Sequence, residues 1–176
     1  GLGYYARPEE TATTFSAYDS SGAGPFLRTG DLGFLQHGEL YVTGRLKDLI
    51  ILRGRNIYPQ DVESAAELAC PAIRPGCTVA FAVERAGLEE LAVVAEIDPQ
   101  KVADAELPSV CEAMAAAIGQ SCEVRPTSIS LVAPGSVPKT SSGKVQRSAC
   151  RQLLEQGDLT VRSFWSYGNV FSDHGR

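Results

Sequence analysis

Histidine and methionine are scarce in this chain of 176 residues, which contains two histidines and a single methionine. The five cysteines include no C-x-x-C pair, so the ligand spacings of a zinc site are missing and no metal site is predicted. Buried free thiols are the simpler interpretation of these cysteines. Because free thiols persist in reducing compartments, the predicted location is the cytoplasm.

Long apolar runs are absent as well. No stretch approaches the roughly 20 apolar residues that a membrane-spanning helix needs, and no signal peptide is recognisable, so no membrane span is predicted. The formal net charge of −5 argues against an extended surface for nucleic acid. It leaves room for a small basic pocket, because the charge close to a ligand matters more than the total.

The start of the chain reads like the interior of a longer sequence. The only methionine is Met114, and Gly1-Leu2-Gly3-Tyr4-Tyr5 begins in the middle of a pattern, so we expect a fragment of a larger protein. Hydrophobic residues make up 44% of the chain and charged residues 21%, proportions that suit one or two globular domains.

The pattern up to position 57 predicts loops, one hairpin and one short strand. Residues 1–27 are rich in Gly, Ser, Thr and Pro and are interpreted as loops. Phe34-Leu35 and Glu39–Thr43 flank a turn that contains glycine, which is typical of a hairpin. The apolar run Leu49–Leu52 predicts a buried strand, and Arg53–Asn56 predicts the turn that follows it.

From Tyr58 onward the pattern alternates between helices and strands. Pro59 suits the first turn of a helix that ends before Pro71. The remaining predicted elements are a hairpin of Thr78–Val83 and Leu91–Ile97 with a polar turn over Glu84–Glu90, an alanine-rich helix over Pro108–Ile118 ended by Gly119, a strand over Thr127–Val132, and a helix over Val145–Gln156. This order predicts an α+β domain over residues 47–157, with a central sheet and flanking helices.

Residues 158–176 have aromatic side chains, Phe171 among them, but no readable period, and no structure is predicted for them.

Three short strings carry residues suited to nucleotide chemistry: Arg28-Thr29-Gly30-Asp31-Leu32, Gly44-Arg45-Leu46-Lys47-Asp48 and Pro138-Lys139-Thr140-Ser141-Ser142-Gly143-Lys144. An aspartate can accept hydrogen bonds from a pair of hydroxyls, and arginine or lysine can hold phosphate and a developing negative charge. Each string alone also has an ordinary explanation, namely a turn-forming aspartate, linker charge or a solvated basic helix face.

The last string predicts a flexible, cationic loop. Its serines and glycine indicate a mobile backbone, and Lys139, Lys144, Arg147 and Arg151 supply positive charge with no acid among them. A P-loop is excluded, because its pattern requires glycine at position 138 and serine or threonine at position 145, where this chain has proline and valine.

The three strings in this order resemble the C-terminal motifs of adenylate-forming enzymes, the superfamily of acyl-CoA synthetases, peptide-synthetase adenylation domains and luciferases. The likeness covers about residues 1–155. Within the superfamily, Arg53–Glu63 and Thr140–Arg147 are most similar to fatty acyl-AMP ligases, which supply acyl chains to polyketide and lipopeptide assembly lines. The resemblance implies that residues 1–46 end a large N-terminal adenylation domain and that residues 47–157 form the small C-terminal domain.

The resemblance also implies roles for individual residues. Asp31 would bind the ribose hydroxyls of ATP and acyl-AMP, Arg45 would contact ribose or phosphate, and Val42 would line the adenine. Lys144 would be the catalytic cation, bridging the fatty carboxylate and the α-phosphate while pyrophosphate leaves.

The implied reaction has a second step, in which the acyl group moves from AMP to the phosphopantetheine of an acyl carrier protein. Lys47 would be the hinge about which the small domain turns, and the loop of Arg53, Gly54, Arg55 and Asn56 would then meet the thiol. The full enzyme would use Mg²⁺ with ATP, and this chain is not expected to be active without the missing N-terminal domain. Two alternatives stay open: a fatty acyl-CoA synthetase that uses free CoA, and an inactive adenylating fold that serves as an interaction module.

Overall fold

The computed structural model describes residues 3–167, and the chain divides into two compact units, Gly1–Lys47 and Asp48–Arg176. The helices are α1 (Pro8–Phe15), α2 (Pro59–Leu68), α3 (Leu107–Cys122) and α4 (Arg147–Gln156), with short 3-10 turns at Leu46–Asp48 and Asp104–Glu106. The strands are β1 (Asp31–Gln36), β2 (Glu39–Arg45), β3 (Ile50–Leu52), β4 (Arg55–Ile57), β5 (Ile73–Arg85), β6 (Leu88–Ile97), β7 (Ser128–Val132) and β8 (Val161–Ser166).

The first unit consists of helix α1 and the antiparallel hairpin β1–β2. The hairpin confirms the prediction, whereas α1 corrects the interpretation of residues 1–27 as loops alone. Pro8 opens this helix and Glu9 and Glu10 lie in its first turn, where proline is tolerated and acidic side chains favour the helix dipole. No side chain of residues 3–47 is buried, so this unit contains no core of its own within the chain.

The second unit is built on a four-stranded sheet in the order β5-β6-β7-β8, with the short hairpin β3–β4 as a separate pair. Strands β6 and β7 are parallel, and the pairs β5–β6 and β7–β8 are antiparallel. Strands β5 and β6 are longer than predicted, because the expected polar turn shrinks to Ala86-Gly87. Both residues have positive φ, 53° and 76°, as two-residue hairpin turns require.

Alternate residues of the sheet point into two hydrophobic clusters on opposite faces. Ala80 and Val93 belong to a large cluster with helices α2 and α3 and hairpin β3–β4. Val79 and Val94 belong to a smaller cluster with Cys150 of helix α4. Strand β6 is buried from Leu91 to Ile97, so helices cover both of its faces, as the prediction of a sheet with flanking helices requires.

Helix α3 does not end at Gly119, as the sequence predicts, but continues to Cys122 and ends at Glu123, which has a left-handed φ of 53°. A glycine inside a helix costs only about 1 kcal/mol relative to alanine. Ile118 is fully buried and Cys122 packs at the edge of the large cluster, so burial favours the longer helix.

The segment after residue 157 adds the edge strand of the sheet. Strand β8 pairs with β7, and Trp165 packs against the large cluster. Phe171, an aromatic residue of the same segment, lies outside the described residues.

Candidate functional site

Lys144 lies at the closing end of a tight turn made by its own motif. The amide of Thr140 donates to the Lys144 carbonyl at 2.8 Å, and the amide of Lys144 donates to Thr140 Oγ1 at 3.1 Å. The amide of Gly143, which has a φ of 83°, donates to the Thr140 carbonyl at 2.9 Å. The predicted loop therefore forms a hydrogen-bonded turn that includes the backbone of Lys144.

The turn closes onto a short antiparallel stem. Lys139 and Val145 form a β-bridge, and the amide of Gln146 donates to the carbonyl of Pro138 at 2.9 Å. Val145 is thus extended, and helix α4 begins at Arg147, two residues later than the predicted helix. We refer to residues 138–146 as the Lys144 hairpin.

Arg147, the first residue after this hairpin, is engaged in a nearly buried ion-pair network. Its Nε and Nη2 donate to the two carboxylate oxygens of Glu63 at 3.0 and 2.6 Å. Its Nη1 donates to Asp48 Oδ2 at 3.3 Å. The side chains of Arg147 and Glu63 are only 15% and 12% exposed, so little water screens this pair.

Arg147 and Arg151, two of the four cations predicted around Lys144, are neutralised by acids. Arg151 pairs with Glu155 one helical turn away at 2.7 Å. Lys139 Nζ lies 3.0 Å from the sulfur of Cys77. Among these four side chains, Lys144 is the one whose charged group makes no hydrogen bond or ion pair to residues 3–167.

A buried carboxylate holds the segment that leads into the Lys144 hairpin. Glu96 is 2% exposed; its Oε1 accepts the amide of Val137 at 2.9 Å and its Oε2 pairs with Arg74 at 2.6 Å. Burial alone raises the pKa of Glu96, but the amides of Gly135 and Val137 and the charge of Arg74 together lower it below its usual value. Glu96 is therefore a fixed negative charge near neutral pH.

The residues predicted to bind nucleotide lie on hairpin β1–β2. Asp31 and Arg45 face each other across the open end of the hairpin, with 3.3 Å between Arg45 Nε and Asp31 Oδ1. The amide of Leu46 donates to the carbonyl of Gly30 at 2.9 Å and closes this end. Both charged side chains stay accessible, at 38% and 57% exposure for Asp31 and Arg45, and can bind a ligand.

Val42 lies on the same hairpin, opposite Gly33 at a bulge. A Cβ on Gly33 would lie 2.6 Å from the carbonyl oxygen of Tyr41, so only glycine permits this close strand approach. Val42 is exposed and offers an apolar surface on the hairpin that carries Asp31 and Arg45.

The predicted loop of Arg53, Gly54, Arg55 and Asn56 is a two-residue turn followed by a strand. Arg53 and Gly54 have φ values of 50° and 77°, which suits the tightest hairpin turns, and Arg55 and Asn56 belong to β4. Arg55 contacts the end of helix α3, donating to the Glu123 carbonyl at 3.0 Å and to its carboxylate at 3.3 Å. Within residues 3–167 the side chain of Arg53 has no such partner.

Lys47, the predicted hinge, lies in the 3-10 turn Leu46–Asp48 and is the last residue of the first unit. It is exposed, whereas its neighbour Asp48 is bound by Arg147.

The five cysteines are all free. Burial raises the pKa of Cys111 to about 11 and that of Cys150 to about 12, so neither is a nucleophile near neutral pH.

Residues 3–167 contain no group of three or more side chains that could ligate a metal ion. Nor does any helix in this described part have the length and apolar composition to cross a membrane.

Comparison with known proteins gives sequence relatives that match most of the chain. The chain is 47% identical over 159 residues to the medium-chain-fatty-acid–[acyl-carrier-protein] ligase JamA of Moorena producens, covering 90% of this chain and 27% of that protein. It is 40% identical over 168 residues to the putative fatty-acid–CoA ligase fadD25 of Mycobacterium tuberculosis, covering 90% of this chain and 28% of that protein. No protein-family model matches the chain.

Two solved structures share the fold. The fatty acid AMP ligase from Legionella pneumophila is 33% identical with a TM-score of 0.56, covering 93% of this chain and 28% of that one. Over 90% of its length the chain is similar to fatty-acid ligases of both the acyl-carrier and the CoA kind. McyG A-PCP complexed with phenylalanyl-adenylate is 30% identical with a TM-score of 0.71, covering 89% of this chain and 23% of that one. The chain spans about a quarter of the length of the relatives that it matches.

No role for Glu96, Glu63 or Arg74 is predicted from the sequence. Arg74 and Glu63 resemble ordinary surface residues in the sequence. Glu96 did carry a signal, because it is the one acid in the apolar run Leu91–Ile97. A charged side chain in such a strand is expected only if it is paired or hydrogen-bonded.

Proposed function

We propose that the whole protein activates a fatty acid with ATP and transfers the acyl group to a carrier-protein phosphopantetheine. The observation that supports this best is the ammonium of Lys144, which has no partner within residues 3–167 and is carried by a hydrogen-bonded hairpin next to the neutralised Arg147. An unpaired cation on a fixed backbone is suited to an anionic ligand.

In the first step, a carboxylate oxygen of the fatty acid attacks the α-phosphorus of ATP. The bond between that phosphorus and the oxygen that bridges to the β-phosphate breaks, so acyl-AMP forms and pyrophosphate leaves. Lys144 would oppose the negative charge on the carboxylate and the transferring phosphoryl group. Contacts of this type are typically worth about 3–4 kcal/mol, or roughly 10²- to 10³-fold in rate.

The nucleotide would be held by hairpin β1–β2. The Asp31 carboxylate would accept hydrogen bonds from the ribose hydroxyls, Arg45 would contact ribose or phosphate, and Val42 would pack beside the adenine. The adjacent opposite charges of Asp31 and Arg45 fit a ligand with both hydroxyl donors and phosphate acceptors. Mg²⁺ would enter with the phosphates, since it is commonly held by substrate oxygens and only one or two carboxylates.

In the second step, the phosphopantetheine thiol attacks the acyl carbon, the thioester forms and AMP leaves. Lys47 would be the hinge that brings the turn at Arg53-Gly54 to the thiol. Because Arg55 is bound to Glu123, Arg53 is the arginine of this turn that is free to meet the acceptor. The carrier acceptor is supported by the similarity to JamA, and free CoA is the alternative suggested by the similarity to fadD25.

Residues 1–46 would end a larger N-terminal domain that covers them. The support is the absence of any buried side chain in residues 3–47, together with exposed apolar residues such as Tyr5, Leu35 and Leu40. A cytoplasmic location is supported by the free cysteines, which suit a reducing compartment.

The proposal is tested with the full-length protein, ATP, a medium-chain fatty acid, and either CoA or a phosphopantetheinylated carrier protein. We expect acyl-AMP to form, acyl-carrier to accumulate and acyl-CoA to be absent by mass spectrometry. Abundant acyl-CoA would make the protein a CoA ligase. An unchanged rate of acyl-AMP formation in Lys144→Ala would contradict the catalytic role of Lys144. No acyl-AMP in any reaction would favour a non-catalytic module.

A further inference from the structure

We infer that Glu96 and Arg147 are positioning residues that fix the two ends of the Lys144 hairpin and thereby the catalytic ammonium. This inference rests on the proposed function, because it concerns the step in which Lys144 acts. Neither residue is a ligand of the reactants; each contacts the hairpin or its direct continuation.

The entry to the hairpin is held by Glu96. The amide of Val137, the residue before the hairpin, donates to Glu96 Oε1 at 2.9 Å, and the Val137 side chain is 4% exposed. Glu96 Oε2 is occupied by Arg74, so both oxygens of this buried carboxylate have assigned partners. A buried carboxylate that accepts a backbone amide gives a stronger bond than a neutral acceptor would.

The exit is held by Arg147. Its guanidinium binds both oxygens of Glu63 on helix α2, and Glu63 Oε1 also accepts the amide of Ala80 in strand β5 at 3.0 Å. The start of helix α4 is therefore tied to a helix and to the sheet at once. A two-bond guanidinium–carboxylate contact fixes orientation as well as distance, which a lysine ammonium does not.

Between these anchors the hairpin is closed by its own hydrogen bonds, so the backbone of Lys144 has little freedom. The remaining freedom lies in its side chain. A displacement of about 1 Å at a reacting group can cost roughly a hundredfold in rate. Loosening either anchor should therefore slow adenylation without removing a group that touches the substrate.

The first test compares two Arg→Lys variants on the same helix in the full-length ligase. Arg147→Lys keeps the charge and loses the two-bond contact with Glu63, whereas the control Arg151→Lys changes an exposed pair with Glu155. We expect Arg147→Lys to lower kcat for acyl-AMP formation by about tenfold or more, with KM for ATP unchanged, and Arg151→Lys to stay within about twofold. Transfer from purified acyl-AMP to the carrier should be unchanged in both variants, because Lys144 does not act in that step.

The second test repeats the comparison on strand β6. Glu96→Gln removes the buried charge, and the control Glu90→Gln removes a carboxylate whose nearest pairing, with Arg85, is long at 3.9 Å. We expect Glu96→Gln to lower kcat for acyl-AMP formation as Arg147→Lys does, with transfer unchanged. The control Glu90→Gln should leave both half-reactions unchanged. Parallel losses in both half-reactions, together with a lower Tm, would assign these residues to stability only and overturn the inference.

A Lys144→Ala background separates this inference from the proposed function. If Arg147 acts by positioning Lys144, adding Arg147→Lys to Lys144→Ala should cause little further loss, since the group being positioned is gone. A further loss equal to that seen in the wild-type background would overturn the positioning role. If Lys144→Ala itself adenylates at the normal rate, the catalytic assignment of the proposed function is wrong, whatever the anchors do.

Discussion

Residues 3–47 contain no buried side chain, whereas residues 48–167 enclose two hydrophobic clusters on opposite faces of a sheet. The first region is organised by contacts between residues close in sequence, such as the pairs of hairpin β1–β2. The second is organised by contacts between distant residues, of which the bond between Arg147 and Glu63, 84 positions apart, is an example. The candidate nucleotide-binding residues and the candidate catalytic lysine therefore depend on different kinds of stabilisation.

The carboxylates of Asp19 and Glu96 show the same difference between the two regions. The Ser21 hydroxyl and the amide of Ala23 lower the pKa of the exposed Asp19, and both donors lie within four positions of it. The pKa of Glu96 is also lowered, but against the cost of burial and by donors that lie far away in the sequence. Local hydrogen bonds suffice at the surface, while a buried charge needs partners that only the folded sheet supplies.

The largest expected effect comes from separating the two regions. A fragment of residues 48–176 should unfold cooperatively in urea, because all the buried hydrophobic residues lie within it. A peptide of residues 1–47 should show no cooperative transition by circular dichroism, since isolated hairpins are marginal in water. Cooperative folding of this peptide would show that the contrast between the regions is mistaken.

Two side-chain substitutions in the 176-residue chain measure how much each region contributes to stability. Ile129 is fully buried in strand β7, and Ile129→Ala should lower the free energy of unfolding by about 2–5 kcal/mol. The matched control is Leu35→Ala on the exposed hairpin, where we expect a change within about 0.5 kcal/mol. Urea titration monitored by Trp165 fluorescence gives both values, and similar losses would contradict the description of residues 3–47.

The junction between the regions is tested with Lys47→Pro in the full-length protein. Proline restricts the backbone dihedrals at the proposed hinge, so transfer of the acyl group should fall by about a hundredfold while acyl-AMP formation stays nearly normal. The two half-reactions are measured separately, with radiolabelled ATP and with purified acyl-AMP. Equal losses in both would rule out Lys47 as the hinge.

The smallest expected effect is the acid sensitivity of the second region. Because the pKa of Glu96 is lowered in the folded chain, its contribution to stability is present above its unfolded pKa and is lost as the pH falls below about 4.5. The loss of unfolding free energy between pH 6 and pH 3.5 should therefore be smaller in Glu96→Gln than in wild type. Glu90→Gln is the control on the same strand, and an unaltered pH dependence in Glu96→Gln would assign acid sensitivity to other groups.

Several features followed from the sequence because they depend on neighbouring residues. Pro59, which suits the first turn of a helix, predicted helix α2, and the glycine-containing turn between Phe34-Leu35 and Glu39–Thr43 predicted hairpin β1–β2. The three motif strings also indicated the family before any geometry was known. Turn lengths were less predictable, since the pairing of Arg85 with Leu88 and of Leu52 with Arg55 extends strands into residues that look polar.

The sequence by itself determined the local elements, the family and the identity of the candidate residues. Only the tertiary structure decided that Lys144 has no partner among residues 3–167 while Arg147 and Arg151 are neutralised, that Glu96 holds Val137 across 41 positions, and that β8 completes the sheet. The physical reason is that a hydrogen bond or ion pair between distant residues forms only once the core has brought them together. A residue's charge is visible in the sequence, but its partner is not.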